Sequence, residues 1–390
     1  MGIIQGARDM FDRAAFANVF KPVEEAESLP PWCYTSPDFY DLEVKNLFMR
    51  VWNFFGHIDQ VAKPGDYITV DYVGIPLIIV RGEDGEIRAF ANSCRHRGTP
   101  VADGSGNCRA FVCPYHGWVF RLNGALHSCP GMEKTANFNK EANGLIPLRL
   151  ETFGCFMFIN FDWDAEPLID YLGDFPEIMG SYDLENLRLV RKIEHDVPCN
   201  WKIHIENAME EYHLPMVHQA TLNPKEMEHS AAPTSENWLD IREHHDNHTR
   251  SLLFEDLEHE LPHIPTLKGR AAGGTNYVCL NPSTMLGMTL DSIWYLELQP
   301  HGPDNTKVIH GALFPTETVE RDDFEEKVYY YYKRWDTTLG EDNDISALQH
   351  RGLSSPFAQS GRLSHLEPLV PELAQWWIDR ILPEGWSHNE

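Results

Sequence analysis

Two short motifs offer a matched set of metal ligands. Cys94 and His96 form a C-x-H pair, and Cys113 and His116 form a C-x-x-H pair after the loop of residues 97–112. Two thiolates with two imidazoles suit either a tetrahedral zinc or a [2Fe–2S] cluster in which two histidines replace two cysteines. Zinc fingers usually pair Cys with Cys and His with His, whereas each motif here contains one of each. The pattern therefore favours two irons, one held by the two cysteines and the other by the two histidines.

A second candidate metal site lies between residues 200 and 218. His213 and His218 are five residues apart, so they would not share a face of a regular helix with 3.6 residues per turn. Pro215 has no N–H to give a helix, so we expect a kink there that brings the two imidazoles together. Two imidazoles and one carboxylate form the facial triad of non-haem Fe(II) oxygenases. The acidic run at residues 341–344 is the best candidate for the carboxylate.

The sequence around the first two motifs predicts short strands. Alternating apolar residues and turn signals predict strands over 66–72, 75–81, 87–91, 111–112, 118–120 and 156–161. Apolar residues at helical spacing over 47–55 predict a helix before them. We expect this all-β unit to span residues 46–162, after an N-terminal arm of residues 1–45.

The remaining residues, 163–390, are expected to form a second unit of strands and helices. Strands are predicted over 193–197, 284–288, 293–298 and 307–313, and a last helix over 372–381. A further helix begins near Phe324, and Gly340 is a natural C-terminal stop for it. Residues 221–275 are rich in His, Pro and charge, which predicts surface loops with broken strands. Together the two units predict an α+β chain.

Composition excludes several classes of partner. The formal net charge of -27 argues against nucleic acid and anionic membranes, which need clustered Lys and Arg. Eight cysteines in 390 residues do not indicate a disulfide framework. The first 16 residues contain no apolar signal-peptide core, and the longest apolar run, residues 75–80, is too short to span a bilayer. We expect a soluble, cytoplasmic protein.

With both ligand sets in view, the chain resembles the α subunit of Rieske non-haem iron, ring-hydroxylating-type oxygenases. The likeness runs from about residue 40 to the end. It includes the Pro-Gly-Asp-Tyr turn at residues 64–67, the cluster motifs, and a stretch ending at His218 that is similar to the family's N-W-K…E-N…Y-H-x₄-H. The resemblance implies an all-β Rieske [2Fe–2S] domain and a helix-grip catalytic domain, a Bet v1-like antiparallel sheet with helices. It also implies that the N-terminal arm packs on the catalytic domain.

Residue roles follow from the same resemblance, position by position. His213 and His218 match the two iron histidines, and Asp342 matches the third ligand. The spacing after the acidic run differs from the usual pattern, so Asp344 remains a possible substitute. Glu210 matches an acidic residue that bridges the two metal sites across a subunit boundary. Many aromatic-ring dioxygenases carry Asp there, whereas Glu is similar to the choline and carnitine monooxygenase branch.

The resemblance also implies partners. The chain has no G-x-G-x-x-G fingerprint and no plant-type C-x₄-C-x₂-C run, so electrons must come from a separate NAD(P)H-dependent reductase or ferredoxin. In this family a neighbouring subunit delivers the electron to the mononuclear Fe(II), which implies a homotrimer.

The substrate is less defined. We expect O₂-dependent hydroxylation of an aromatic or similar small organic compound, by mono- or dioxygenation. The alternative is a monooxygenase for a quaternary ammonium or N-methyl compound, such as choline, betaine or carnitine. Aromatic side chains could cage such a cation or line a pocket for an aromatic ring; the candidates are Tyr277, Trp294, Tyr295 and Trp335. A Rieske electron carrier and a structural zinc protein are the alternatives of another class, and residues 163–390 exceed what a carrier needs.

Overall fold

The computed structural model describes residues 10–222, 228–229, 237–244 and 248–383. The N-terminal strands form two antiparallel sheets, with the orders β1-β10-β9-β4-β3-β2-β5 and β6-β7-β8. Their bounds are β1 (Asn53–His57), β2 (Asp66–Tyr72), β3 (Ile75–Arg81), β4 (Ile87–Ala91), β5 (Ser105–Asn107), β6 (Ala110–Val112), β7 (Val119–Arg121), β8 (Leu126–Ser128), β9 (Pro147–Phe153) and β10 (Phe156–Asn160). The cluster motifs therefore lie in two loops, between β4 and β5 and between β6 and β7.

Strand prediction succeeded for the three consecutive strands β2, β3 and β4 of the first sheet. Strands β2, β3 and β4 have the predicted bounds, and the centre of β3 is buried. The predicted helix over 47–55 is wrong. A short π-helical turn ends at Phe48, and β1 begins at Asn53. Every residue of β1 and of its partner β10 is buried, so pairing between strands overrides the helical spacing of the apolar residues.

The second large sheet is also antiparallel, with the order β11-β17-β16-β15-β14-β13-β12. Its strands are β11 (Leu187–Val197), β12 (Glu228–His229), β13 (Trp238–His244), β14 (Gly274–Leu280), β15 (Thr284–Met288), β16 (Ile293–Pro300) and β17 (Thr306–Pro315). The segment 221–275, predicted as loops with broken strands, supplies β12, β13 and the start of β14. Parts of that segment, like residues 1–9 of the predicted arm, lie outside the described residues.

Helices lie before, between and after the strands in chain order. They are α1 (Trp32–Thr35), α2 (Pro37–Glu43), α3 (Leu168–Leu172), α4 (Phe175–Met179), α5 (Trp201–Ala208), α6 (Leu214–Val217), α7 (Thr316–Val319), α8 (Phe324–Leu353) and α9 (Leu369–Ile381). None of the described helices is both long and apolar enough to cross a membrane. Together with the antiparallel sheets, they give the α+β fold expected from the sequence.

Helix α8 continues through Gly340, so the predicted stop there is wrong. Tyr331 and Trp335 of this helix pack on Phe314 of β17, with ring centroids 5.2 and 6.1 Å apart. A glycine within a helix costs about 1 kcal/mol relative to alanine, which is less than such packing contributes. As a result residues 341–344 are helical, and their side chains point in directions set by the helix.

The N-terminal arm packs against α5. Glu43 and Lys202 form an ion pair whose two side chains are fully buried. Tyr34 donates a hydrogen bond to Glu206 Oε1 at 2.7 Å, also in a buried position. A lone buried charge is strongly destabilising, so these polar pairs fix the position of the arm on the helix.

Two apolar cores hold the described chain together. The larger joins the arm, the first sheet and the second sheet; for example, Phe54 of β1 contacts Tyr295 of β16 with ring centroids 5.1 Å apart. The smaller surrounds Cys94, Cys113 and Trp118. From sheet membership we propose the division into an arm of residues 1–45, a cluster domain of 46–162 and a catalytic domain of 163–390.

Glu206 should make folding stability depend on pH. Burial raises the pKa of Glu206 from the ordinary 4.5 to about 7, against the lowering effects of Tyr34 and Lys202. Because the folded state holds this proton more tightly, the contribution to the free energy of unfolding is complete below pH 4.5 and is lost as pH rises through about 7. Each unit of difference between the folded and unfolded pKa corresponds to about 1.4 kcal/mol.

The variant Glu206→Gln removes this titration, and its amide oxygen can still accept from Tyr34. Urea unfolding between pH 5 and pH 8 should therefore show wild type losing stability relative to the variant as pH rises. The exposed Glu83, substituted by Gln, serves as the control and should give a curve parallel to wild type. Parallel curves for Glu206→Gln as well would contradict the assignment.

Candidate metal centres

The two cluster motifs fold into loops of the same form. The Gly98 N–H donates to the Cys94 carbonyl at 2.8 Å, and the Gly117 N–H donates to the Cys113 carbonyl at 3.0 Å. Both glycines have positive φ, 80° and 70°, a conformation that residues with a Cβ adopt only with strain. Each loop therefore curls back on its cysteine and presents the cysteine and the histidine of the pair on one side.

The structure brings the four motif residues together as a cysteine pair and a histidine pair. Cys94 and Cys113 are buried, at 3% and 2% exposure, whereas His96 and His116 are exposed. The two histidine Nδ1 atoms lie 3.2 Å apart. In the described chain no three of these four residues have ligand atoms within 4.8 Å of one another. A single tetrahedral zinc would need all four close together, so the arrangement fits two irons, one beside each pair.

The histidine side of this centre faces the outside of the chain. The His96 ring stacks on Trp118 with centroids 5.0 Å apart and planes inclined by 10°. Tyr115, 54% exposed, lies beside His116, and the Arg97 guanidinium sits 5.1 Å from the Tyr115 ring centroid. The surface next to the histidines is therefore aromatic and cationic, and another protein can approach it.

His213 and His218 flank one short helix. Helix α5 ends at Ala208, and α6 covers only the four residues Leu214–Val217. The break thus comes before Pro215 rather than at it, and Pro215 occupies the first turn of α6, where no N–H is required. His213 lies at the N-terminal cap of α6 and His218 at the C-terminal cap, which places their ring centroids 5.2 Å apart.

Asp342 completes a group of three ligands. Its Oδ1 lies 3.0 Å from His218 Nε2 and 3.7 Å from His213 Nε2. In the described part of the chain, these three residues are the group whose ligand atoms converge within 4.8 Å. Asp344 is exposed and lies two residues further along α8, so the helix turns it away from the histidines. Two imidazoles and one carboxylate facing a cavity fit a mononuclear iron with open coordination positions.

The other ring nitrogen of each histidine is held by a glutamate. His213 Nδ1 pairs with Glu210 Oε1, and His218 Nδ1 pairs with Glu341 Oε2, both at 2.7 Å. Such carboxylates fix the tautomer and leave Nε2 available for a metal. Burial lowers the pKa of His218, but Asp342 and Glu341 outweigh it, so the net pKa lies above the ordinary 6.5. Sequence reasoning missed Glu341, although its position directly before Asp342 was a usable signal.

A cavity of about 320 Å³ opens beside the three ligands. Three of the four aromatic candidates, Tyr277, Trp294 and Trp335, line this cavity. Tyr295 does not line it; its ring packs on Phe54 in the core. Tyr295 is therefore a core residue, as inward-facing residues on a central strand usually are.

The cavity also contains charged and polar side chains that the sequence did not reveal. They are Glu243, Arg250, His310 and Arg334. Arg250 Nη2 lies 2.7 Å from Glu243 Oε1, so these two form an ion pair. No motif marks any of these residues, because the tertiary packing of strands, a loop and helix α8 brings them to the cavity.

Comparison with known families gives two matches along the chain. Residues 184–383, more than half of the chain, match the family model described as the ring-hydroxylating alpha subunit (catalytic domain). Residues 51–139 match the model of the Rieske [2Fe–2S] domain. The two matches fall on the parts of the chain that carry the mononuclear ligand group and the cluster loops.

Similar proteins support the same assignment. The carnitine monooxygenase oxygenase subunit of Acinetobacter baumannii is 33% identical over 216 residues, a match that spans 55% of this chain and only 58% of that protein. The glycine betaine monooxygenase oxygenase subunit of Chromohalobacter salexigens is 26% identical over 401 residues, with 95% of this chain and 89% of that protein covered.

A solved structure shares the fold. It is the quaternary ammonium Rieske monooxygenase described in terms of carnitine oxidation by gut microbiota and inter-subunit electron transfer. The TM-score is 0.78 at 24% identity, and the match covers 96% of this chain and 98% of that one. At this identity the likeness shows the fold alone.

The two aspartates of the acidic run can be separated by their effect on metal content. We expect Asp342→Asn to reduce the iron content from about three to about two per chain, because one ligand of the three-residue group loses its charge. Asp344→Asn should retain all of the iron, because the Asp344 side chain is exposed and turned away from the two histidines. Iron and acid-labile sulfide analysis, together with the visible spectrum of the cluster, measures both. Loss of iron in Asp344→Asn with retention in Asp342→Asn would reverse the assignment.

Proposed function

The chain belongs to the ring-hydroxylating alpha subunits of Rieske oxygenases, and from this premise we propose that it is the oxygenase component of a monooxygenase acting on a quaternary ammonium or N-methyl compound. The observation that carries the proposal is the aromatic cavity beside His213, His218 and Asp342. The names of the relatives, carnitine and glycine betaine monooxygenase subunits, favour this substrate class over an aromatic ring, which fits the wider family.

The ligand assignments are part of the proposal. Cys94 and Cys113 hold one iron of the cluster, His96 and His116 hold the other, and the group of His213, His218 and Asp342 holds the mononuclear iron. When bound, the cluster supplies electrons one at a time, and the mononuclear iron supplies the site where O₂ reacts. In the overall reaction one oxygen atom enters a C–H bond of the substrate and the other leaves as water, with two electrons from a reductase and two protons.

The cavity walls suit a cation that cannot donate hydrogen bonds. A quaternary ammonium has no N–H, so it is recognised by aromatic faces and by carboxylates rather than by acceptors in defined directions. Tyr277 and Trp294 lie with ring centroids 6.2 Å apart, and Trp335 lines the same space. Each face that contacts the cation contributes about 0.5–2 kcal/mol. The role of these residues is to hold an N-methyl group toward the ligand group while excluding water.

Electron delivery is proposed to come from a neighbouring subunit in a homotrimer. The exposed histidine edge of the cluster gives a partner access to His96 and His116. Glu210 contacts His213 and lies in the segment between α5 and α6, which suits the bridging role that its position implies. The electrons reach the cluster from a separate reductase or ferredoxin.

Oxygen consumption distinguishes the two substrate classes. With a surrogate reductase and NADH, we expect quaternary ammonium compounds to raise the O₂ consumption of the purified protein well above its basal rate. Aromatic compounds of similar size, such as toluene and benzoate, should leave it near that rate because they lack the cation. If aromatic compounds raised O₂ consumption more than quaternary ammonium compounds did, the proposed substrate class would be rejected in favour of an aromatic substrate.

Two glutamates allow a matched test of the bridging role. Glu210→Ala and Glu341→Ala each remove the carboxylate from one iron histidine, so both should weaken iron retention about 10–100-fold. With Fe(II) supplied in excess, only Glu210→Ala should slow the oxidation of the reduced cluster by O₂ and substrate. Stopped-flow absorbance follows that step directly. Equal rates in the two variants would show that Glu210 only orients His213.

A further inference from the structure

Arg334 of α8 is a buried cation for which the described residues provide no anion. The side chain lines the cavity, and the residue is 5% exposed. Its Nε has no hydrogen-bond partner, and in the described part of the chain no carboxylate lies within ion-pair distance of it. The guanidinium donates one long hydrogen bond, 3.5 Å from Nη1 to Thr338 Oγ1. Arg250, in the same cavity, has Glu243 at 2.7 Å, so the absence of a partner distinguishes Arg334.

A guanidinium in this position is held at a cost to the fold. Burial lowers the pKa of Arg334 below the ordinary 12.5, and the more distant Tyr277, Asp342 and Glu243 only partly oppose that effect. The Trp294 ring, with its centroid 5.8 Å from the guanidinium carbon, gives a weak cation–π contact. An unpaired buried charge is strongly destabilising, and proteins usually pair such a charge with an anion. A ligand anion would provide that partner.

The neighbours of Arg334 add further hydrogen-bonding atoms without partners. Trp294 Nε1 and Trp335 Nε1 are buried and make no hydrogen bond to the residues that the structure describes, and neither ring nitrogen of His310 makes one. Burial, followed by the nearby Arg191 and Arg334, lowers the pKa of His310 to about 3, so its ring is neutral and has one N–H. All three rings line the same cavity as Arg334. This side of the cavity therefore offers several hydrogen-bond donors around the Arg334 guanidinium.

We propose that the substrate carries a carboxylate that binds to Arg334, with Trp294, Trp335 and His310 available as further donors. A carboxylate offers two oxygens with about four lone-pair sites, and a guanidinium binds it through two parallel hydrogen bonds. The proposed function supplies the other part of the substrate, an N-methylated ammonium group, and the inference rests on it for that part. The substrate is then a small zwitterion, an N-methylated ammonium carboxylate. Alcohols such as choline lack the group that Arg334 recognises.

The position of Arg334 on α8 sets a length for this zwitterion. Arg334 and Asp342 lie on the same continuous helix, eight residues apart, which corresponds to about 12 Å along its axis. The Arg334 side chain spans part of the roughly 12 Å between the two positions. The carboxylate and the reacting N-methyl group of the substrate are therefore separated by a few bonds. A compact amino-acid betaine satisfies this spacing, and the cavity of about 320 Å³ accommodates it.

Binding of matched ligands to the iron-loaded protein under anaerobic conditions tests each half of the molecule separately. The probes are glycine betaine, choline, which replaces the carboxylate by an alcohol, and 3,3-dimethylbutanoate, which replaces the ammonium by an uncharged tert-butyl group. A second pair, 4-trimethylammoniobutanoate and its alcohol, extends the chain. Calorimetry should give at least a tenfold lower Kd for a carboxylate than for its alcohol in one of the pairs.

The outcomes separate the two proposals. Alcohols that bind as tightly as their carboxylates would overturn the carboxylate inference and leave the ammonium specificity intact. If 3,3-dimethylbutanoate, which keeps the carboxylate and lacks the cation, binds as tightly as glycine betaine, the quaternary ammonium function is rejected and the role of Arg334 is retained. Failure of every carboxylate to bind would overturn the inference as well.

The variant Arg334→Met separates recognition from a structural role. We expect the carboxylates to bind at least tenfold more weakly while the alcohols bind as before. The melting temperature of the ligand-free protein should stay the same or rise, because a buried charge without a partner has been removed. Arg351→Met, on the exposed side of the same helix, is the matched control and should change neither quantity. A fall in melting temperature with equal weakening of carboxylates and alcohols would assign Arg334 to the fold instead.

Discussion

The candidate active site depends on α8 remaining helical through Gly340. This one helix places Asp342 beside His213 and His218 and Glu341 beside His218, and two turns earlier it places Arg334 in the cavity that Asp342 lines. The helix is held on the sheet by Tyr331 and other aromatic residues, and Tyr331 also donates a hydrogen bond to the buried Asp291. Were the helix to end at its glycine, the acidic run would become a loop, and neither the third ligand nor the support of His218 would have a defined direction.

The two candidate metal centres have opposite relations to solvent. At the cluster the cysteines are buried and the histidines are exposed, which suits a centre that exchanges electrons with another protein. At the mononuclear site His218 is 2% exposed, and each histidine is oriented by its own glutamate, which suits a centre that must keep open positions inside a cavity. The difference in burial and in hydrogen bonding thus distinguishes the two candidate centres.

The cavity joins two kinds of recognition that act on different parts of one molecule. Aromatic faces suit a cation without hydrogen-bond donors, whereas Arg334 and the unpaired ring nitrogens around it suit an anion with several lone pairs. The arginine is destabilising in the free protein, and such a residue persists where a ligand offsets the burial of its charge. Fold similarity does not decide such a question, because function resides in the side chains at the site and not in the architecture around it.

The sequence by itself determined the elements whose signals are local. The Cys-x-His and Cys-x-x-His pairs, the glycines that close their turns and the alternation in β2 to β4 all depend on neighbours within a few residues, so spacing alone predicts them. Only the tertiary structure decided the rest. Strand β1 replaced a predicted helix because pairing with β10 outweighed helical spacing, and Asp342 rather than Asp344 faces the histidines because α8 is continuous. His310 and Arg334 could not be found by motif, because long-range packing brings them to the cavity and leaves no pattern along the chain. Glu341 lies directly before Asp342 in the sequence, but only the course of α8 shows that it contacts His218.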